Sequence, residues 1–458
     1  MIELTVKDIA RVTDGKLVSK DENAVVWGFS IDSRTICPGE FFIAVKGQNF
    51  DGHDFIGAAV QKGAAGILAE RDVSSEYGGK IDHVLTVEDS REAMGRIAAE
   101  IRNRARIPVV CATGTSGKTT LKEMLSCLLS SKYNVLKSKK SYNNIIGLSL
   151  TLFGLSPSHD VAVLELGTNR PGEISDLAQI ARPSVCVITN IGDGHLEFLK
   201  DRDGVFAEKV KLLDFLKDSG AAFLNSDDPL LKKVSAEEGA IRFFGTSGDP
   251  DFRITDIKKE KSGYSFSLGG SAFFVPLEGE HNVYNAAAAI AVSRHLGVGD
   301  EEIRSKMKEM TLPGMRLERV EAGGVTFIND SYNANPDSFK CALEVLRESP
   351  TKGKRIVVAG DMMELGAKTT SFHEIIGKSI AGKNIDFLIT IGGMAEHIAR
   401  GALESGMARE NVVRVGSHEE AADIIRRVAK AGDIVLVKGS RASKMEEVLR
   451  CFTTYCIH

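Results

Sequence analysis

Short apolar runs alternate with helix-period segments through the middle third of the chain. The apolar runs predict β-strands over 108–112, 160–166, 184–190 and 221–225, with helical patterns between them. Strands that alternate with helices in this way are typical of a mostly parallel sheet covered by helices. The middle third is therefore predicted to be an α/β domain.

Residues 252–277 interrupt this alternation. Three short apolar runs separated by glycine-containing turns predict an antiparallel insert. A helical pattern from Val283 to Leu296 follows, and a second one ends at Leu312-Pro313-Gly314. Because a Pro-Gly pair ends a helix and begins a turn, we place a domain boundary near residue 313.

The last third repeats the strand–helix unit. Strands are predicted over 325–329, 354–359, 386–391, 412–415 and 433–437, each followed by a helical pattern. This order predicts a doubly wound, Rossmann-like sheet, in which ligands bind beyond the carboxyl ends of the strands.

The first part of the chain predicts a smaller α/β unit. It has apolar runs over 41–45 and 66–69 and a helical stretch over 55–62, and a helix-period segment over 90–106 leads out of it. A length of 458 residues suits about three domains. We predict an N-terminal domain over 1–88, a central domain over 89–313 and a C-terminal domain over 314–458.

Composition argues against a nucleic-acid-binding, membrane or secreted protein. The net charge of −4 gives no electrostatic reason to expect nucleic acid or an anionic membrane as a partner. We see no signal peptide at the start and no apolar run near the ~20 residues of a membrane span. Seven cysteines without a Cys-x-x-Cys pair suit a reducing cytosol. We expect a cytoplasmic monomer that binds small molecules.

A predicted strand leads into a glycine-containing turn and then a helix over 121–129. In such a turn, backbone N–H groups and the helix N-terminus converge on a phosphate, a lysine reaches the β- and γ-phosphates, and a hydroxyl ligates Mg²⁺. The alternative is a chance Gly-Lys-Thr, which the flanking strand and helix disfavour. The usual first glycine is replaced by Ala112, so the spacing is a variant. The predicted phosphate-binding residues are Gly114, Thr115, Ser116, Gly117, Lys118, Thr119 and Thr120.

Two further strand ends carry polar side chains. Glu165 ends the apolar run that begins at Asp160, and it is either a metal ligand or an ordinary strand-end carboxylate. His195 lies in the loop after the strand that ends near Asn190, a position that favours a ligand over a plain surface histidine. By composition alone, Lys209 is a surface lysine on a helix.

The motifs together resemble those of the Mur ligases, ATP-dependent enzymes that build the peptide of UDP-N-acetylmuramic acid. The resemblance covers nearly the whole chain and implies the same three domains. The general motifs are Gly114 to Thr120, Tyr142-Asn143-Asn144-x-x-Gly147, Glu165-Leu166-Gly167-Thr168, Thr189-Asn190-Ile191 with His195-Leu196-Glu197, and Gly279-x-His281-Asn282-x-x-Asn285-Ala286.

Within the family, other motifs are similar to those of members that add D-alanyl-D-alanine. They are Asp32-Ser33-Arg34, Ala44-Val45-Lys46-Gly47 followed by Phe50 to Phe55, Asp330 to Pro336, Gly360 to Gly366 with His373, and Leu436 to Arg441. The Asp-Asn-Pro-Arg motif of members that add diaminopimelate is absent from the sequence.

The resemblance implies a role for each matching residue. Thr119 and Glu165 would hold one Mg²⁺, while His195 and a carbamylated Lys209 would hold a second. Lys118, His195 and Lys209 would be catalytic, although the sequence around Lys209 departs from the commoner Ala-Lys-Gly-Glu form. ATP would contact Asn285, Arg316 and Asp330 in addition to the phosphate loop. The UDP-muramoyl peptide would contact Ser33, Arg34, Lys46, Asn143 and Thr168, and D-alanyl-D-alanine would lie near Tyr332, Asn333 and Asn335.

The implied activity is ATP-dependent attachment of D-alanyl-D-alanine to UDP-N-acetylmuramoyl-tripeptide through an acyl phosphate, as a step of peptidoglycan synthesis. Alternatives are another Mur-type ligase, a folylpolyglutamate synthetase-like ligase, or a P-loop switch or transport ATPase that hydrolyses ATP without an amine acceptor. The sequence leaves open whether residue three of the tripeptide is lysine or diaminopimelate, and which group acts as general base.

Overall fold

The computed structural model describes residues 2–47, 49–217, 219–235 and 240–454. Three β-sheets follow one another along the chain, and most of their strand pairs are parallel. The predicted α/β fold class is confirmed. The domain boundaries at 88 and 313, which fall between the sheets, stay predictions.

The first sheet has five strands in the order β1-β5-β4-β3-β2, and only β1 pairs antiparallel with its neighbour. Its strands are β1 Lys16–Ser19, β2 Phe29–Ser30, β3 Phe41–Ile43, β4 Gly66–Ala69 and β5 His83–Thr86. The helices of this part are α1 Val6–Thr13, α2 Ile56–Gln61, α3 Ser74–Tyr77 and α4 Ser90–Ala105.

The second sheet has nine strands in the order β14-β13-β12-β11-β10-β9-β6-β8-β7. They are β6 Val109–Thr113, β7 Val135–Lys137, β8 Val161–Glu165, β9 Val185–Ile188, β10 Ala221–Asn225, β11 Ile241–Gly245, β12 Phe252–Glu260, β13 Gly263–Leu268 and β14 Ser271–Val275. The helices are α5 Lys118–Leu129, α6 Ile145–Phe153, α7 Glu173–Ala181, α8 Leu196–Leu199, α9 Arg202–Val210, α10 His281–His295 and α11 Asp300–Met307.

The predicted antiparallel insert continues this second sheet. Strand β12 pairs parallel with β11, and β13 and β14 then pair antiparallel beyond it. The sequence analysis missed β7, which has only three residues, and β11, in which Arg242 interrupts the apolar run.

The third sheet has six strands in the order β15-β16-β20-β17-β18-β19, of which only β15 is antiparallel. They are β15 Glu318–Ala322, β16 Val325–Asp330, β17 Arg355–Gly360, β18 Phe387–Ile391, β19 Val412–Val415 and β20 Ile434–Lys438. The helices are α12 Pro336–Glu348, α13 Thr369–Ala381, α14 Glu396–Glu404, α15 His418–Val428 and α16 Glu446–Thr454.

Apolar side chains fix how the layers stack. Helices α5 and α10 pack on one face of the second sheet, and the alanines of α10 let it approach the strands closely. On the opposite face, α4, α6 and α7 share an apolar core with the first sheet. Among the described residues, no helix has the length and apolarity needed to cross a membrane.

Candidate active site

The turn between β6 and α5 adopts a geometry that requires glycine. Gly114 and Gly117 have φ angles of 149° and 85°, in the region that favours glycine. A Cβ on Gly117 would lie 2.5 Å from the Asn285 Oδ1 atom. Ala112 lies inside β6 with its side chain fully buried, so the turn itself begins only at Gly114. The variant spacing therefore leaves the loop geometry intact.

Hydrogen bonds from the next strand end hold the phosphate loop. The Thr189 hydroxyl donates to the Ser116 carbonyl oxygen over 2.6 Å, and the Ser116 N–H donates to Asn190 Oδ1 over 3.0 Å. Lys118 Nζ lies 2.7 Å from the Gly114 carbonyl oxygen. Burial lowers the pKa of Lys118, because a desolvated ammonium lacks hydration. The backbone of the loop is therefore held in place by hydrogen bonds, and the Lys118 side chain folds back over it.

Thr119 and Glu165, the predicted ligands of one Mg²⁺, lie in direct contact. The Thr119 hydroxyl donates to Glu165 Oε2 over 2.8 Å, and Asn143 Nδ2 donates to Glu165 Oε1 over 2.8 Å. Arg316, from the C-terminal part, donates to the Thr119 Oγ1 atom over 2.9 Å. A buried carboxylate beside a hydroxyl is an oxygen donor pair that suits Mg²⁺.

His195 is the N-cap residue that precedes the short helix α8, and its backbone is left-handed, with φ 58°. Its Nδ1 atom lies 2.5 Å from the Glu364 Oε2 atom of the C-terminal part. The hydrogen bond to His195 lowers the pKa of Glu364, since a nearby donor favours the charged carboxylate. This conformation is uncommon for a non-glycine residue, although histidine adopts it more readily than most.

Lys209 is buried, so the prediction of a surface lysine from composition is wrong. Its exposed fraction is 0%, and Nζ has no hydrogen-bond partner among the described residues. Burial lowers its pKa well below the usual value, and the charge of Lys118 lowers it further. The lowered pKa favours the neutral amine over the ammonium.

One cleft of about 1050 Å³ separates the central sheet from the C-terminal sheet. Four predicted side chains are not among those that line it, namely Ser33, Arg34, Lys46 and Lys209. Of these, Lys209 is buried near enough to the phosphate loop for the charge of Lys118 to lower its pKa. The predicted residues that line the cleft are Thr115, Ser116, Gly117, Lys118, Thr119, Thr120, Asn143, Glu165, Thr168, His195, Asn285, Arg316, Asp330, Tyr332, Asn333 and Asn335.

The C-terminal wall of the cleft includes Arg316, Tyr332, Asp330 and Asn335. The Arg316 guanidinium lies 4.0 Å from the centre of the Tyr332 ring, a cation–π geometry. Asp330, at the end of β16, pairs with Lys438 at the end of β20 over 2.5 Å. Asn335 donates through Nδ2 to the Ser116 hydroxyl over 3.1 Å. The wall therefore contacts the phosphate loop directly.

The three predicted residues of the N-terminal part lie away from this cleft. Arg34 is 86% exposed and forms two hydrogen bonds with the Asp32 carboxylate, of 2.9 Å and 2.8 Å. This guanidinium lowers the pKa of Asp32 to about 2. Ser33, beside it, is buried.

The sequence analysis gave no role to two carboxylates at the site. Asp228 accepts the N–H of Ile191 over 2.7 Å and so fixes the loop that leads to His195. Asp228 could have been suspected from the sequence because it follows β10. Strand β10 pairs with β9, and β9 leads into the loop that contains His195. Glu364 belongs to a quoted motif, but its contact with His195 depends on docking of two parts of the chain. No three His, Cys, Asp or Glu side chains cluster as a metal site in the described part.

Comparison with known proteins places these features in a family. Residues 26–102 match "Mur ligase family, catalytic domain", residues 112–293 match "Mur ligase middle domain", and residues 315–441 match "Mur ligase, glutamate ligase domain". The chain is 34% identical to the UDP-N-acetylmuramoyl-tripeptide–D-alanyl-D-alanine ligase of Bacillus subtilis, over 98% of both chains.

Two solved structures have the same arrangement. MurF from Acinetobacter baumannii matches with a TM-score of 0.90 and 30% identity over 99% of each chain. MurF from Thermotoga maritima in complex with ADP matches with a TM-score of 0.82 and 32% identity, over 94% of this chain and 97% of that one. The resemblance inferred from the motifs is confirmed: the chain belongs to the Mur ligase family.

Proposed function

We propose that the chain is an ADP-forming ligase that joins D-alanyl-D-alanine to UDP-N-acetylmuramoyl-tripeptide. The observation that carries the proposal is that one cleft brings the phosphate loop, Glu165 and Arg316 together. A P-loop switch or transport ATPase would have no use for this C-terminal wall. The names of the full-length relatives support the choice of substrates. With these substrates we further propose a cytoplasmic location, and a monomer because one chain carries both walls of the cleft.

The chemistry has two steps. The terminal carboxylate of the tripeptide attacks the γ-phosphorus of ATP, so that ADP leaves and an acyl phosphate forms. The amine of D-alanyl-D-alanine then attacks the carbonyl carbon, and phosphate leaves as the amide forms. Lys118 stabilises the charge that develops on the transferring phosphoryl group. The C-terminal wall excludes water from the acyl phosphate.

We propose two Mg²⁺ sites. Thr119 and Glu165, already in contact, would hold one ion. His195 and a carbamylated Lys209 would hold the other. When bound, Mg²⁺ neutralises negative charge on the phosphoryl oxygens.

The environment of Lys209 supports carbamylation. A neutral amine adds to CO₂ and releases one proton, giving an anionic N-carboxylate, whereas an ammonium cannot react. Burial lowers the pKa of Nζ, which favours the neutral amine, and Nζ has no hydrogen-bond partner in the described residues. The carboxylate formed there would replace an unpaired amine with a group that can ligate a cation.

We assign the rest of the substrates by position. Ser33, Arg34 and Lys46 would bind the UDP end, and Asn143 and Thr168, in the cleft, the muramoyl peptide. D-alanyl-D-alanine would bind to Tyr332, Asn333 and Asn335 on the C-terminal wall. ATP would contact Asn285 and Asp330. The ranges 1–88, 89–313 and 314–458 would then be the UDP-substrate domain, the ATP domain and the domain that closes over both.

Replacing Arg34 with alanine is expected to weaken binding of UDP-N-acetylmuramic acid by about tenfold or more, because a guanidinium pairs with two phosphate oxygens. Calorimetry at fixed ionic strength measures the dissociation constant. The matched control is Arg71→Ala, which removes another exposed, acid-paired arginine of the N-terminal part. Equal affinity in Arg34→Ala and wild type would show that Arg34 is only a solvated turn residue.

The proposed function is tested by measuring phosphate and amide together. With UDP-N-acetylmuramoyl-tripeptide, D-alanyl-D-alanine and ATP, phosphate and pentapeptide are expected in equal amounts. Replacing the dipeptide with glutamate or diaminopimelate should suppress both products, because the acceptor site would stay empty. Phosphate release that continues unchanged without any amine would instead support a switch or transport ATPase.

A further inference from the structure

The Glu364 carboxylate contacts His195 between the C-terminal and central parts of the chain. Glu364 Oε2 lies 2.5 Å from His195 Nδ1, and the N–H of Glu197 donates to the Glu364 carbonyl oxygen over 3.1 Å. The other ring nitrogen, Nε2, makes no hydrogen bond to any described residue, and His195 lines the cleft. The contact therefore leaves Nε2 as the nitrogen available to a ligand in the cleft.

The backbone on both sides of this contact is held in an unfavourable conformation. His195 and Glu364 have φ angles of 58° and 63°, a region that costs a non-glycine residue about 1–2 kcal/mol. Two residues on, Gly366 has φ 58°, and a Cβ there would lie 3.1 Å from the Glu197 Cα atom. The turn around Glu364 is thus fitted closely onto the start of α8.

Hydrogen bonds within the C-terminal part fix the loop over 360–366. The Met362 N–H donates to His373 Nε2 over 3.0 Å, and the Met363 N–H donates to the Ser440 hydroxyl over 2.8 Å. His373 is fully buried, so the loop is anchored from inside its own domain. The backbone beside Glu364 is therefore anchored to the C-terminal part of the chain.

We propose that Glu364 is a positioning residue that orients His195 for the second metal ion only when the C-terminal domain is docked. The inference rests on the proposed function, which makes His195 a metal ligand. A carboxylate on one ring nitrogen of a ligating histidine fixes the ring orientation and tautomer, and its loss typically costs 10–100-fold in metal affinity or activity. Docking of the domain and completion of the metal site would thus be one event.

Another contact between the same two parts provides a matched control. Glu348 Oε2 accepts hydrogen bonds from Lys259 Nζ over 2.9 Å and from the Tyr264 hydroxyl over 3.2 Å. None of these three residues lines the cleft. Glu348→Ala therefore loosens the docked arrangement without touching His195.

The test is a titration of the full chain with Mn²⁺, followed by electron paramagnetic resonance, in the presence of ADP and UDP-N-acetylmuramoyl-tripeptide. Wild type is expected to bind two ions, and Glu364→Ala should weaken the weaker site by about 10–100-fold. Glu364→Gln keeps an acceptor oxygen, so this variant should lose less Mn²⁺ affinity than Glu364→Ala. In a His195→Ala background, Glu364→Ala should have no further effect.

Two results would overturn the inference. Mn²⁺ affinity of Glu364→Ala equal to wild type would remove the positioning role. If Glu364→Ala and Glu348→Ala weakened Mn²⁺ binding equally, the contact would only help to dock the two parts of the chain and would not position His195. The proposed function fails separately, if wild type itself binds no second ion and forms no amide.

Discussion

Lys118→Ala is expected to lose nearly all ligation while it keeps the fold. Among the described residues, the hydrogen bonds of Lys118 Nζ go to carbonyl oxygens of its own loop, so it adds little to packing. In the transition state it would face the transferring phosphoryl group, where the loss of one stabilising group costs about 10²–10³ in kcat. At ~1.4 kcal/mol for each tenfold, this is about 3–4 kcal/mol of transition-state stabilisation.

The measurement is steady-state pentapeptide formation, with a thermal melt of each variant. Lys132→Ala is the matched control, because Lys132 follows the same helix and binds a carbonyl oxygen outside the cleft. The control should keep wild-type turnover. If Lys118→Ala also kept wild-type turnover with a native-like melt, the assignment of the phosphate loop would be wrong.

Lys209→Ala is expected to lower turnover by about 100-fold or more, because the second metal ion loses its anionic ligand. The side chain is buried, so the vacated space should admit a small carboxylic acid. Acetate or formate, at saturating Mg²⁺, should therefore restore part of the activity. The cavity is also expected to lower the free energy of unfolding by about 1–3 kcal/mol, which a melt measures.

The Lys209→Met variant distinguishes loss of the carbamate from loss of packing. Methionine fills much of the same volume but cannot react with CO₂, so this variant should be inactive and should not respond to acetate. Near-wild-type turnover of Lys209→Ala without any additive would contradict the carbamate assignment.

The spacing of apolar residues predicted most of the strands and helices. This is because burial of one or both faces of each element fixes that spacing within the element itself. The strand–helix units of the C-terminal part follow this pattern, and β16 and β20 pair as parallel neighbours in the predicted doubly wound sheet. Strand β15 was missed because Glu318, Arg319 and Glu321 make it polar, as suits the edge of a sheet.

The burial of Lys209 could not be predicted because it depends on contacts remote in sequence. Its neighbour Glu208 is also buried, and it accepts the N–H groups of Gly172 and Ile174, both over 2.9 Å, at the start of α7. In the sequence, Lys209 follows another charged residue, Glu208, and nothing there indicates burial. The Glu208 carboxylate instead caps α7, and both side chains are buried.

The contact of Glu364 with His195 illustrates the same limit at the active site. His195 was predicted to lie in a loop after a strand, and the quoted motif that contains Glu364 follows the predicted strand 354–359. Both residues lie beyond the carboxyl ends of strands, β9 and β17. The sequence therefore indicated where each residue lies relative to its own sheet. It could not predict their pairing, because 169 residues separate them and the contact depends on how two domains dock.

The central claim is that ATP activates the tripeptide as an acyl phosphate, and an isotope label tests it most directly. The terminal carboxylate of UDP-N-acetylmuramoyl-tripeptide is labelled with ¹⁸O at both oxygens, and the released phosphate is analysed by mass spectrometry. Attack of a carboxylate oxygen on the γ-phosphorus, followed by loss of phosphate from carbon, predicts one ¹⁸O atom in phosphate for each amide formed. Amide formed together with unlabelled phosphate, or with label in AMP, would contradict the account.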